Sequence, residues 1–174
     1  GKMGPSLAHQ ARRALDDISS PHAVIGVSRF QQPGLRAQLD SWGIQTVSCD
    51  LLDPDAVAQL PDAGAIIFMA GMKFGASAAQ SMTWAMNTHL PSIISIRYPG
   101  VPTVVFSSGN VYPLISVDGD GASEQTRPGP IGEYAQSVLG LFHLEPHPVK
   151  LIEQACVRRR GSRPDMAGAR AVRG

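Results

Sequence analysis

A chain of 174 residues, 43% hydrophobic and 17% charged, carries enough apolar material for one domain with a buried core. Its formal net charge of +1 gives nucleic acid or a membrane surface no electrostatic claim to be the main partner. Two cysteines, Cys49 and Cys156, form neither a disulfide framework nor a metal-ligand spacing, and no run approaches the roughly 18 apolar residues of a membrane span, so a soluble, cytoplasmic protein is expected.

The first predicted element is a helix over residues 5–18, opened by Pro5 at a first-turn position. Ahead of it, Gly1 and Gly4 match the second half of a glycine-rich turn. Glycines there let the backbone approach a pyrophosphate, and the helix N-terminus offers unpaired N–H groups. A plain helix-start turn has the same appearance. A short β-branched run at 23–27 reads as a buried strand, and Ser28-Arg29 follow it where such folds read the adenosine ribose. An acid at that place accepts the 2′-hydroxyl of NAD, whereas a small hydroxyl beside an arginine holds the 2′-phosphate of NADP. The pair favours NADP over NAD, the alternative being a solvent-facing loop arginine.

The next strand is expected at 44–47, closed by Asp50-Leu51, whose carboxylate could accept from an adenine amino group or serve a turn. Asp53-Pro54 is a cap followed by a first-turn proline, predicting a helix through residue 60. A strand at 65–69 ends in Ala70-Gly71, small enough for a cofactor's ribose and nicotinamide to lie against the backbone, or simply for tight packing. Residues 78–96 carry a helical pattern that Pro91 should kink or break, and 103–106 reads as a fourth strand.

Alternating strands and helices predict an α/β fold with a doubly wound parallel sheet. In a dinucleotide-binding sheet the strand before the first helix is central, between the strands at 23–27 and 65–69. No strand precedes residue 5, so the sheet is expected to be split and the natural start to lie upstream. Residues 1–140 are read as the domain, incomplete at its N-terminus, and 141–174 as an atypical basic tail. There Pro146 and Pro148 interrupt any helix, and Arg158, Arg159, Arg160, Arg163, Arg170 and Arg173 have no interleaved aromatics. That tail is expected to be solvated and disordered, or to mark a truncation or frame change.

The chemistry concentrates in Ser107-Ser108-Gly109-Asn110-Val111-Tyr112 and Gly132-Glu133-Tyr134-Ala135-Gln136-Ser137. Paired serines at a strand's carboxyl end and a tyrosine on a following helix can set a hydroxyl beside a phenol, an arrangement suited to hydride transfer. Together with the Gly1 and Gly4 turn, Asp50-Leu51, Met69-Ala70-Gly71 and Asn87, these pieces resemble the extended short-chain dehydrogenase/reductase superfamily, within its NAD-dependent epimerase/dehydratase group. The resemblance covers about residues 1–140, with the Ser-Ser-x-x-Val-Tyr and Tyr-x-x-Ser pieces its more specific parts.

The resemblance implies a Rossmann domain binding NADP or NAD, and a smaller C-terminal substrate domain that this chain mostly lacks. The implied substrate is a small molecule, a nucleotide sugar or related carbonyl or hydroxyl compound. By position, Tyr134 corresponds to the catalytic acid/base and Ser108 to the hydroxyl that polarises the same substrate oxygen, with Ser107 structural. Asn87 corresponds to a helix asparagine, and a homodimer through the helices bearing Asn87 and Tyr134 is also implied.

One position departs from the pattern. The family lysine four residues after the tyrosine is Val138, so its charge and its contact to the nicotinamide ribose are lost. Lys73, just past Ala70-Gly71, is the nearest candidate for a substitute cation, an ordinary exposed lysine being the alternative. The reading is therefore an NAD(P)-dependent epimerase, dehydratase or reductase, with a noncatalytic NADP(H)-binding module or an inactive fragment as its rivals. A metal site is not expected, because His9, His22, His89, His143 and His147 show no helical ligand pair or carboxylate cluster. Ser108 lacks the Gly-x-Ser-x-Gly setting of a hydrolase nucleophile, and Trp42 and Trp84 read as packing residues.

Overall fold

The structure is a computed structural model, which describes residues 3–73, 78–116, 118–119, 121–123, 125–143 and 149–152. Helix α1 (Met3–Asp17) begins two residues before Pro5, so Gly4 lies within its first turn. Its Arg12 pairs with Asp16 at 2.8 Å and donates to the His22 carbonyl at 2.7 Å, tying the helix to the segment that enters β1 (Ile25–Ser28). On the next turn, His9 stacks on Trp42 with ring centroids 4.2 Å apart, which gives Trp42 its packing role beside α2 (Leu35–Ser41). Gly34, with φ of 77°, precedes α2 in a left-handed conformation that a side chain would strain.

Strand β2 (Gln45–Ser48) is parallel to β1, and α3 (Pro54–Ala58) follows it. Here the sequence signal is realised: the Asp53 carboxylate accepts from Asp55 N and Ala56 N at 3.0 and 3.2 Å, satisfying N–H groups that have no helical partner, and Pro54 occupies a position where no N–H is needed. Asp53→Ala should cost about 1 kcal/mol, lowering the thermal midpoint by about 2–4 °C with no change at the carboxyl ends of the strands. A thermal melt followed by circular dichroism checks it, an unchanged midpoint counting against the cap.

Strand β3 (Ile66–Phe68) leads to a helical run in three parts: α4 (Gln80–Trp84), a π-helical turn (Ala85–His89) and α5 (Leu90–Arg97). The sequence reading expected Pro91 to kink or break this run; in the structure the run stays helical, with a π turn just before Pro91. In an α-helix the Pro91 ring would press on the carbonyl four residues back, that of Asn87, and Pro91 has no N–H to give it. A π turn at this place absorbs the mismatch and lets the chain remain helical.

Strand β4 (Thr103–Phe106) pairs in parallel with β3, a short 3₁₀ turn (Gly109–Val111) follows, and α6 (Gly132–Leu139) packs onto that turn. Gly140 allows a close approach of this segment to the π turn, since a Cβ there would come within 2.8 Å of the Thr88 side chain. Strand β5 (Val149–Ile152) pairs in parallel with β4. It falls inside the segment read from sequence as a basic tail, for which no strand was foreseen; residues 153–174 lie outside the described residues.

The described strands form two parallel ladders, β1-β2 and β3-β4-β5. The α/β doubly wound architecture is as expected, and so is the division of the sheet between β1 and β3. Both ladders rest on one core. Val27 and Val47 from the first and Ile66, Phe68 and Val105 from the second pack with Val57, Leu90, Val111 and Val138, of which Leu90 and Val111 are wholly buried. Predicted and observed strand ends differ by a residue or two at 23–27, 44–47 and 65–69, where apolar runs extend beyond the hydrogen-bonded ladder. No helix among the described residues is long and apolar enough to cross a membrane.

Candidate cofactor and active site

In open parallel sheets the ligand crevice lies outside the carboxyl ends of the strands, where the winding reverses. That end of the β3-β4 ladder gathers the chemistry. Ser107 and Ser108 leave β4 buried, each 7% exposed. The Ser108 hydroxyl accepts from Asn110 N at 3.3 Å and caps the 3₁₀ turn, while the buried Ser107 hydroxyl has no hydrogen-bond partner among the described residues. A buried hydroxyl without a partner carries a desolvation cost unless another group meets it.

The segment after β3 is held by one side chain. Asn87 is 4% exposed; its Oδ1 accepts from Met72 N at 2.7 Å and its Nδ2 donates to the Met72 carbonyl at 3.0 Å. The same Nδ2 donates to the Ser137 hydroxyl at 2.9 Å, and Ser137, fully buried, donates to the Tyr134 carbonyl at 2.8 Å. Thr88, the next residue of the π turn, donates to the Ser137 carbonyl at 2.8 Å. Gly71 fits against this arrangement only because it lacks a side chain: a Cβ would stand 3.1 Å from Asn87 Oδ1. Further out, the indole of Trp84 donates to the Glu133 carboxylate at 2.7 Å, tying α4 to α6 beside the links made by the π turn.

Tyr134 is half-buried, with its ring against the core, and Lys73 Nζ lies 5.8 Å from its ring centroid. The Ser108 and Tyr134 hydroxyls belong to adjoining elements and are not hydrogen-bonded to each other; such pairs commonly tighten only around a substrate. Val138 is 5% exposed and packs in the apolar core. Position 138 is thus part of the hydrophobic interior, while Lys73, from the segment after β3, lies near the tyrosine ring.

The remaining predicted residues sit elsewhere. Ser28 ends β1, exposed, with its hydroxyl accepting from Phe30 N at 3.4 Å, and Arg29 is exposed beside it. The Asp50 carboxylate accepts from Leu52 N at 3.1 Å, closing a local turn, and Leu51 packs on the core. Burial, then the Asp50 and Asp53 charges, push the neighbouring Cys49 thiol above its ordinary value, so it stays protonated at neutral pH. Ala70 packs against the core and Gly71 is exposed beside Met72. Gly4 is helical, with open space where its Cβ would be, and Gly1 lies outside the described residues. Among the described residues no group of three His, Cys, Asp or Glu could hold a metal ion.

Two roles were not foreseen from the sequence: Ser137 as the link between Asn87 and Tyr134, and Asn87 as the clamp on Met72. The i, i+3 spacing of Tyr134 and Ser137 was the available signal, since it puts both on one face of a helix. A nicotinamide dinucleotide fits the residues present at the β3 and β4 ends, where Ser107 offers an unpaired hydroxyl and Gly71 a bare backbone.

These features define a doubly wound α/β domain of Rossmann type, with Gly71 following β3 and Ser107 and Ser108 following β4 at the carboxyl ends of the ladder. Solved structures share that fold. A UDP-glucuronic acid 4-epimerase from Bacillus cereus, in complex with NAD, superposes with a TM-score of 0.59 at 18% identity, covering 83% of this chain and 51% of that one. A dTDP-glucose 4,6-dehydratase double mutant from Streptomyces venezuelae, with NAD bound, gives a TM-score of 0.70 at 20% identity, with 85% and 51% covered. A carbonyl reductase from Pseudomonas aeruginosa gives 0.56 at 18% identity, with 86% and 77% covered. The chain therefore spans about half the length of the epimerase and the dehydratase. No protein-family model and no curated protein matches the sequence.

Proposed function

We propose that this chain is the dinucleotide-binding part of an extended short-chain dehydrogenase/reductase, acting as an NAD(P)-dependent epimerase, dehydratase or reductase on a nucleotide sugar or related carbonyl or hydroxyl compound. The observation that carries the reading is the hydrogen-bonded path from Met72 through Asn87 and Ser137 to Tyr134, which unites the β3 end with the helix bearing the phenol. The fold shared with NAD-bound epimerase and dehydratase structures supports it.

In this reading Tyr134 exchanges a proton with the substrate oxygen and Ser108 polarises that oxygen. The bound nicotinamide supplies hydride acceptance and return. Ala70, Gly71 and Lys73 border the nicotinamide end, while Ser28, Arg29, Asp50 and Leu51 border the adenosine end, and Gly1 and Gly4 the pyrophosphate. A homodimer through the helices bearing Asn87 and Tyr134 and a cytoplasmic location belong to the same proposal.

Calorimetric titration with NADPH and NADH tests it. NADPH is expected to bind more tightly, and Arg29→Ala to reduce that preference about tenfold, the effect of one charge-assisted hydrogen bond, with NADH affinity little changed. Absence of heat with both dinucleotides would overturn the reading. The burial of Val138 favours a second one, a noncatalytic NADP(H)-binding module using the same groove. A substrate-dependent change in NADPH absorbance separates the two.

A further inference from the structure

Position 138 is closed to a cation by its burial among Leu90, Val111 and Leu141, yet a cation does stand at the tyrosine. Lys73 is exposed, and its Nζ lies 5.8 Å from the Tyr134 ring centroid. This approach is built into the fold. The preceding residue, Met72, is gripped through both its N–H and its carbonyl by Asn87, and Asn87 is joined through Ser137 to the backbone of Tyr134 itself. Lys73 and Tyr134 are therefore positioned by one continuous hydrogen-bonded path, although they lie 61 positions apart in the chain.

We infer that Lys73 biases a bound nicotinamide dinucleotide toward its reduced form. The inference rests on the dinucleotide reading above and adds a specificity that the reading does not contain. An oxidised nicotinamide ring carries a positive charge and a reduced ring carries none. A ring close enough to exchange hydride with a substrate held by Tyr134 is within reach of the Lys73 ammonium, which repels only the oxidised ring. The diphosphate of the dinucleotide is the same in both forms, so the attraction of Lys73 for it cancels in the ratio of the two affinities. A single unit charge acting on the oxidised ring across a partly hydrated cleft changes that ratio about tenfold.

The test is fluorescence or calorimetric titration of the chain, and of its Lys73→Met and Lys73→Arg variants, with NADPH and NADP⁺ in parallel at low ionic strength. The wild-type chain should prefer NADPH, Lys73→Met should shrink the preference about tenfold, and Lys73→Arg should retain it. Lys73 is exposed, so neither variant removes core packing. A preference unchanged in Lys73→Met, including the case in which both affinities fall in parallel, would overturn the inference while leaving the dinucleotide reading standing. Failure of the wild-type chain to bind either form would overturn both.

Discussion

On the oxidoreductase reading proposed above, Tyr134→Phe should lower substrate turnover by about 10²- to 10⁴-fold, the range expected when a positioned acid/base is deleted. The phenyl ring retains the contacts that Tyr134 makes with the core, so the fold should survive with a stability change below about 1 kcal/mol. NADPH affinity should stay within a fewfold of wild type, because the change removes a hydroxyl and no charge. Absorbance of the reduced dinucleotide in the presence of substrate reads the first effect, and calorimetry reads the second. Turnover equal to wild type would mean that the proton passes through another group. Loss of dinucleotide binding would mean that the phenol anchors cofactor and not substrate.

Asn87→Ala should be the most damaging single change to the site's architecture. The side chain is 4% exposed and serves three partners: Met72 N, the Met72 carbonyl and the Ser137 hydroxyl. Its removal leaves those groups in a half-buried to buried setting without their bonds, at about 1 kcal/mol or more each, or about 3 kcal/mol together. For a domain of this size that corresponds to a fall of about 6–12 °C in thermal midpoint. Asn87→Asp separates the parts, since a carboxylate still accepts from Met72 N but cannot donate to the Met72 carbonyl or to Ser137. It should be intermediate in stability and should loosen Lys73 from Tyr134. Urea denaturation of the two variants provides the comparison. An Asn87→Ala variant as stable as wild type would show that the clamp carries no energy.

The residues that the chain displays plainly are those whose physical reason is local. Asp53-Pro54 announced a helix start because a carboxylate at the cap and a proline in the first turn each answer to N–H groups two or three residues away. Thr103–Phe106 was legible as a strand to the residue, since its β-branched run is bounded by Pro102 and by polar serines. The placing of Ser107 and Ser108 at a strand's carboxyl end followed from the same run.

What the chain hid depends on partners distant in sequence. Asn87 matched a helix asparagine of the resemblance, but what its side chain does is decided only because α6 brings Ser137 to it from 50 residues away and the segment after β3 brings Met72 from 15. Strand β5 was missed because Val149–Ile152 follows a proline-interrupted stretch and precedes a run of arginines, so only pairing with β4 makes it a strand. The valine at 138 read as a lost lysine; in three dimensions it is a core residue, and the cation facing Tyr134 comes from another element.

By itself, then, the sequence determined the alternation of elements, the doubly wound class and the Asp53 cap, because periodicity, capping and strand propensity act over a few residues. Tertiary structure alone decided that both ladders rest on one core, that β5 joins the second ladder, that a π turn precedes Pro91, and that Lys73, Asn87, Ser137 and Tyr134 form one unit. Those outcomes rest on hydrogen bonds and burial between elements, whose free energy exists only once the chain has paid the entropy of closing the loops between them.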